Sequence, residues 1–301
     1  MLILALNDFH GGDGDDGLMI STKTLKNLMQ NNMKLKIAVA QFMIDQLSCD
    51  NNLLRAEKFI KKAADSKAGV VIFPEYFIDG TRKRDLDRFS HGNEYVEYFR
   101  NLAKVHRIDI VAGSMVERDK KKLYNTSYYI DRGGEVLGKY RKINLWGTEK
   151  PSLSAGSESS VFDTRFGKIG LVICWDLFFP DIFAGMSAKG AELVFCSSYW
   201  RLEDAGIGMK YDKNSEIKLI DSICTARAFE NGIIFVFCNA AGKTKVGNSM
   251  DTLAGHSQIA VPFKGCLKKL PHSREAMFVR EVDMDILKDA RKVYEIGKDL
   301  S

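Results

Sequence analysis

The sequence predicts a single α/β domain of two sheet layers covered by helices. Three observations carry that expectation. Short apolar runs rich in Val, Ile and Phe alternate with longer segments of helical periodicity along most of the 301 residues. No stretch rich in Pro, Gly or Ser divides the chain, and no short repeat is present. No apolar run reaches the ~18 residues that a membrane span needs.

The first clear core strand is "MKLKIAVAQF" (33–42). The residues before it differ in kind. "HGGDGDDG" (10–17) is acidic and turn-rich but lacks the spacing and closing glutamate of an EF-hand, and "TKTLKNLMQNN" (22–32) suits a short helix. Residues 1–32 are therefore expected to form a flexible N-terminal extension, dispensable for folding, ahead of a domain over 33–301. Within that domain, residues 51–69 place apolar side chains at 53, 56, 60, 63 and 64, which is helical spacing. Asp50 or Asn51 is the expected cap and Gly69 the expected stop. "VVIF" (70–73) is a strand running into Pro74-Glu75, 93–107 an amphipathic helix, and "IDIVAGSM" (108–115) a strand. Two β-rich segments flank "DRGG" within 122–142, so this region reads as a hairpin.

The second half repeats the style. "KIGLVIC" (168–174) is a strand, 179–190 a helix, "AELVFCSS" (191–198) a strand, 215–232 a long helix and "IIFVFCN" (233–239) a strand. A hairpin over 257–270 and a last strand, "AMFVREVDM" (276–284), follow.

Composition narrows the function. A formal charge of +5 and a hydrophobic share of 45% argue against a nucleic-acid or membrane-surface partner. The basic runs "TRKR" (81–84) and "RDKKK" (118–122) read as solvated loops. The six cysteines, at 49, 174, 196, 224, 238 and 266, form no CxxC pair and no zinc spacing with histidine. Cys196 and Cys238 lie in apolar strands. Reduced thiols in a cytoplasmic protein are expected, with no secretory signal, no metal and no organic cofactor.

Three strand ends carry reactive groups: Glu75 after "VVIFP", Lys142 after "GKYR", and Cys174 closing "KIGLVIC". Each alone reads as packing or a solvated charge. Together they supply a base, a cation and a nucleophile, the minimum set for acyl transfer. A free thiol titrates near ~8.5, so attack at neutral pH needs a neighbouring base. A papain-like site needs an imidazole, and none of His10, His91, His106, His256 and His272 lies in a partner motif. "AAGKT" (240–244) fails as a phosphate loop, because Phe237 stands where the leading glycine belongs.

The segments "FPEYF" around Glu75, "YRKINLW" around Lys142 and "ICWDLFFP" around Cys174 resemble the nitrilase superfamily of carbon–nitrogen hydrolases. The resemblance runs from Met33 to about residue 285, through "ARAFENG", "VFCNAAG" and "AGHSQIAVPFKG". It implies a four-layer αββα sandwich with Glu75 as general base, Lys142 as oxyanion stabiliser and Cys174 as nucleophile. "EKPSLSAG" (149–156) resembles the segment that holds a second glutamate, here Glu149. Two departures stand out: Ala155 replaces the customary proline, and Asp181 replaces a common glutamate. The backbone N–H of Trp175 is the expected second oxyanion donor. Tyr76, Trp146, Tyr199 and Trp200 are candidate pocket aromatics, and Arg201 a candidate anion ligand. Homodimers or higher oligomers, packed through helices 179–189 and 215–231, follow from the resemblance.

The expected activity is hydrolysis of a small linear amide to acid and ammonia. A nitrilase, an N-carbamoyl hydrolase and a non-catalytic binding module are the alternatives. Leu177, Phe178 and Phe179 stand where members that bind carboxylates often place arginine. Neutral or weakly polar amides are therefore expected to be preferred over N-carbamoyl amino acids.

Overall fold

The computed structural model describes residues 34–80, 92–246 and 248–294. The expected extension over 1–32, its helix and the "TRKR" run lie outside the described residues.

Two six-stranded sheets form the centre. The first runs β14-β1-β2-β3-β4-β5, built from β1 (Lys34–Gln41), β2 (Val70–Ile72), β3 (Asp109–Asp119), β4 (Lys122–Ile130), β5 (Val136–Arg141) and β14 (Ala276–Asp283). The second runs β13-β12-β9-β8-β7-β6, from β6 (Ser160–Thr164), β7 (Gly167–Ile173), β8 (Leu193–Ser198), β9 (Ile234–Asn239), β12 (Gln258–Val261) and β13 (Gly265–Lys269). β10 (Lys243–Val246) and β11 (Ser249–Thr252) make a separate antiparallel ribbon. The helices are α1 (Cys49–Asp65), α2 (Gly92–His106), α3 (Pro180–Ala188), α4 (Ser215–Asn231) and α5 (Ile286–Tyr294).

Each sheet has a parallel centre, β1-β2-β3 in one and β7-β8-β9 in the other, with antiparallel strands outside it. Parallel centres need both faces covered, which is why these strands read as continuous apolar runs. Alternation then sorts the side chains. Ile37, Val39, Ile72 and Val111 face Ile169, Leu171, Phe195 and Val236 between the sheets. Ala38, Ala40, Val71 and Phe73 pack under Ala56 and Ile60 of α1 and Phe99 of α2. Val172, Val194 and Phe235 pack under Phe183 of α3 and Ile220 and Ala228 of α4. The layers are helix, sheet, sheet, helix, the predicted αββα sandwich.

Several boundaries differ from the sequence reading. Ser48 caps α1, accepting from Asn51 N at 3.1 Å, in place of Asp50 or Asn51. α1 ends at Asp65, because Lys67 takes a left-handed turn (φ 59°) and Gly69 already pairs with the first sheet through Lys36 O. β3 runs on to Asp119. β6, the β10–β11 ribbon and α5 have no counterpart in the sequence reading.

Candidate active site

Both parallel centres end at the same place. β2 delivers Phe73-Pro74-Glu75, β7 delivers Cys174, β5 delivers Lys142, and β8 delivers Tyr199 and Trp200. Side chains beyond the carboxyl ends of parallel strands meet in one crevice, as open α/β sheets generally arrange them. A cavity of about 1120 Å³ opens there, lined by Glu75, Tyr76, Lys142, Trp146, Glu149, Cys174, Trp175, Tyr199, Trp200 and Arg201 among others. Every residue named from the sequence as a catalytic, oxyanion or substrate-binding candidate lines it.

Two of these residues sit in the left-handed region, Tyr76 at φ 55° and Cys174 at φ 46°. Such positions cost of order 1–3 kcal/mol each and persist only where surroundings fix them. Tyr76 N donates to Ser114 O at 3.0 Å, and Glu75 N to Ser198 O of the other sheet at 3.3 Å. Gly113 permits this, since a Cβ there would stand 2.1 Å from Pro74 O. The Cys174 turn (Cys174–Phe178) is held by Asp176, which is fully buried. Its carboxylate accepts from Ile173 N (3.0 Å), Tyr140 Oη (2.7 Å), Asn144 N (2.8 Å) and Asn144 Nδ2 (3.1 Å). It therefore fastens the turn to the end of β5 beside Lys142. Arg227 of α4 adds a fork onto Leu177 O at 3.1 and 2.9 Å.

Lys142, only 1% exposed, places Nζ 2.8 Å from Glu75 Oε1 and 2.7 Å from Glu149 Oε2. The two glutamates differ in how fully they are engaged. Glu149 receives four donors: Tyr76 Oη at 2.5 Å, Asn125 Nδ2 at 2.9 Å, Lys142 Nζ at 2.7 Å and Trp146 N at 2.8 Å. A carboxylate so surrounded is locked and ionised; the Lys142 charge and these bonds hold it below the usual range despite its burial. Glu75 Oε1 accepts from Lys142 and from Asn125 Nδ2 at 2.8 Å, and the carboxyl also takes a hydrogen bond from the Cys174 thiol.

Burial pushes Glu75 above the ordinary glutamate value, the Lys142 charge opposing and the Glu149 charge adding. Burial and the Glu75 charge likewise push the Cys174 thiol well up. Burial alone works against a charged Lys142, but Glu75, Cys174 and Glu149 together hold it protonated. The resting arrangement is a neutral thiol beside a strengthened carboxylate base, with a permanent cation next to both.

The flanking aromatics pack on one another. Trp175 meets Trp146 (4.4 Å between ring centroids), Phe178 (4.2 Å) and Trp200 (6.0 Å). Of the three residues standing where an arginine is often found, only Phe178 lines the cavity. Leu177 points into the core, and Phe179 remains 37% exposed outside the cavity. Tyr199 Oη donates to Thr244 Oγ1 at 2.8 Å, and Trp200 Nε1 to Glu216 Oε2 at 2.5 Å. Arg201 lines the cavity with its guanidinium already held by Asp251 (2.8 Å) and Asp204.

Sequence reasoning missed Asn125, Asp176, Tyr140 and Arg227. Asn125 lies mid-strand in "YNTSYY", with no local sign that its amide bridges two carboxylates. Asp176 had one sign: a carboxylate two residues beyond the nucleophile has nowhere to be but the strand end. Among the described residues no cluster of His, Cys, Asp and Glu is arranged to hold a metal ion.

The carbon–nitrogen hydrolase family model matches residues 36–292. A 2-oxoglutaramate amidase of Bacillus subtilis is 31% identical over 273 residues, covering 89% of this chain and 98% of that one. A probable nitrilase of Schizosaccharomyces pombe is 28% identical over 271 residues, covering 87% and 93%. Among solved structures, Saccharomyces cerevisiae Nit3, a member of branch 10 of the nitrilase superfamily, superposes with a TM-score of 0.74 at 26% identity, covering 86% of this chain and 94% of that one. An amidase from Nesterenkonia sp. gives 0.72 at 24%, covering 87% and 95%, a likeness of fold. With the family model matched along most of its length, and a relative aligned almost end to end, this chain belongs to the carbon–nitrogen hydrolase family, within the nitrilase superfamily.

Proposed function

We propose that this enzyme hydrolyses small linear amides through a thioester on Cys174, with Glu75 as the general base and acid. The observation that carries the reading is the unequal engagement of the two glutamates around Lys142: one is saturated with donors, the other is left to the thiol.

The Cys174 sulfur attacks the amide carbon while Glu75 takes the thiol proton. The carbonyl π electrons move to oxygen, and the tetrahedral oxyanion is stabilised by Lys142 Nζ and the Trp175 N–H. A donor of this kind is typically worth about 3 kcal/mol. Glu75 then passes its proton to the nitrogen, the C–N bond breaks, and ammonia leaves a thioester. Water attacks that thioester with Glu75 as base. The second oxyanion collapses, expels the sulfur, which regains its proton, and releases the acid. Glu149 neither gives nor takes a proton; it orients Lys142 and balances its charge.

The 2-oxoglutaramate amidase relative supports an amidase over the N-carbamoyl alternative; the probable nitrilase of Schizosaccharomyces pombe is the counter-example, and the butyronitrile arm of the assay below separates the two. The built catalytic cluster speaks against a non-catalytic module. A cytoplasmic location fits the six cysteines, all free of disulfides; among the described residues no helix is long and apolar enough to cross a membrane. A homodimer or higher homo-oligomer packed through α3 and α4 follows from the resemblance, and light scattering showing a monomer at micromolar concentration contradicts it.

Ammonia release from butyramide, butyronitrile and an N-carbamoyl amine, with Cys174→Ala alongside, tests the function. Turnover of the amide, lost in the variant, is expected. Turnover confined to the nitrile or the carbamoyl compound, or persisting in Cys174→Ala, contradicts the reading.

A further inference from the structure

Two consecutive serines end β8, and only one of their side chains has a partner. Ser197 Oγ donates to Phe73 O of the other sheet at 2.8 Å. Ser198 is fully buried, and among the described residues its hydroxyl makes no hydrogen bond. Its backbone is well held: the carbonyl accepts from Glu75 N at 3.3 Å and from Ala240 N at 3.1 Å. The residue is thus fixed in place while its side chain is left over. Burying an oxygen in this way costs stability, because the hydroxyl gives up water and gains nothing in the resting fold.

Its place in the sheet says what the hydroxyl is for. β7 and β8 pair in parallel, Val172 beside Cys196 and Ile173 beside Ser197. Cys174 and Ser198 come next in that register, on strands about 4.8 Å apart. Alternation sends Ser197 toward the first sheet and Ser198 to the opposite face, the one that Val172 and Cys196 share. Cys174 lines the cavity and Ser198 does not, so the hydroxyl stands on the protein side of the sulfur. Burial first, and then the Glu75 charge, disfavour a thiolate at Cys174; the Lys142 charge, the Ser198 hydroxyl and the Tyr199 N–H favour one.

We propose that the Ser198 hydroxyl is a donor reserved for the Cys174 sulfur at the moments when that sulfur carries negative charge. The inference deepens the thioester reading and rests on it. A neutral thiol is a weak acceptor, so the hydroxyl has little to bond at rest. Charge gathers on sulfur twice in the cycle. The first time is when Glu75 takes the thiol proton and the freed electron pair forms the C–S bond. The second is when the later oxyanion collapses, the C–S bond breaks and its pair returns to sulfur. At both moments Ser198 Oγ–H donates and keeps its own proton. Together with the Tyr199 N–H it does for the sulfur what Lys142 Nζ and the Trp175 N–H do for the carbonyl oxygen. Ser198 touches no substrate atom, so it sets the rate and not the choice of amide.

Ser198→Ala removes the hydroxyl oxygen and nothing else; Ser198→Thr keeps it. For both variants and the wild type, three quantities are to be measured: kcat/KM for ammonia release from butyramide, the rate of iodoacetamide labelling of Cys174 followed by peptide mass, and Tm. A hydrogen bond to a charged group is worth about 10- to 100-fold in an equilibrium constant. Steps that make or break a bond to sulfur feel about half of that on a logarithmic scale, since their Brønsted slopes are about 0.4–0.5. The alanine variant should therefore lose about three- to tenfold in kcat/KM, and about as much in the labelling rate of Cys174 at neutral pH. Labelling of the exposed Cys266 should not change. Tm should equal or exceed that of the wild type, because an unpaired buried hydroxyl is gone. The threonine variant should keep rates near those of the wild type. Unchanged rates in Ser198→Ala overturn the assignment and leave the amidase reading standing. So does a lowered Tm, which places the hydroxyl's bond in the resting fold, or a threonine variant as slow as the alanine one. No turnover of butyramide by the wild type overturns both.

Discussion

Replacing Glu149 with glutamine removes one charge and turns one acceptor oxygen into a donor without changing the size of the side chain. The native carboxylate receives Tyr76 Oη and Asn125 Nδ2 on one oxygen, Lys142 Nζ and Trp146 N on the other. An amide has one acceptor oxygen and one NH₂. Turned toward Lys142 and Trp146, the NH₂ faces two donors that cannot accept; turned toward Tyr76 and Asn125, it faces a hydroxyl that can rotate to accept and one amide donor, so one or two bonds to a charged acceptor are lost at about 1.5–3 kcal/mol each. The cluster loses about 1.5–6 kcal/mol, and at 1.36 kcal/mol per tenfold, a share expressed in the transition state lowers kcat/KM about 10–10³-fold. A second signature separates this from general damage. The Glu149 charge raises the Glu75 pKa. Its removal should move the acid limb of kcat/KM to lower pH even as the plateau drops. The assay is ammonia release against pH for the wild type and Glu149→Gln, with a melting curve for each. A loss under about tenfold, or an acid limb that stays put or rises, refutes the assignment of Glu149 as the residue that orients and balances Lys142.

Other outcomes follow from the same geometry. In the wild type, the acid limb of kcat/KM should lie above 4.5, the ordinary glutamate value, because burial holds Glu75 above it; a midpoint at or below 4.5 contradicts the burial argument. The sign for stability is the reverse. With Glu75 raised, the native state binds more protons than the unfolded chain between the ordinary and raised values, so this group's contribution falls as pH rises through that window. Asp176→Ala orphans four donors and should cost about 3–5 kcal/mol, seen as a drop of roughly 10 °C in Tm; a Tm within a degree or two of wild type refutes its role as the fastening of the Cys174 turn. Removing residues 1–32 should leave the melting transition intact, and loss of that transition contradicts the proposed boundary at Met33.

How much of this was legible depended on whether a signal was local. β1, β2, β7, β8 and β9 read correctly because strands buried on both faces need unbroken apolar runs, and Gly232 ends α4 at φ 58° as a left-handed cap should. β6 is a short edge strand, and β10 and β11 carry mostly exposed side chains, so neither burial nor alternation announced them. Glu75, Lys142 and Cys174 were found because each ends a strand in a recognisable motif. Asn125 was not, because its meaning lies in Glu75 and Glu149, 50 and 24 residues away. The expected weight on Arg201 as an anion ligand shifts for the same reason. Asp251, half a hundred residues on, occupies that guanidinium, and no local pattern shows it.

The central claim is that the acyl group passes through a thioester on Cys174. Rapid acid quenching during turnover of butyramide, followed by intact-mass and peptide analysis, tests it most directly. The account predicts a butyryl adduct on the peptide carrying Cys174, discharged by hydroxylamine and absent in Cys174→Ala. Sustained turnover with no adduct at Cys174, or an adduct on any of the other five cysteines, contradicts it.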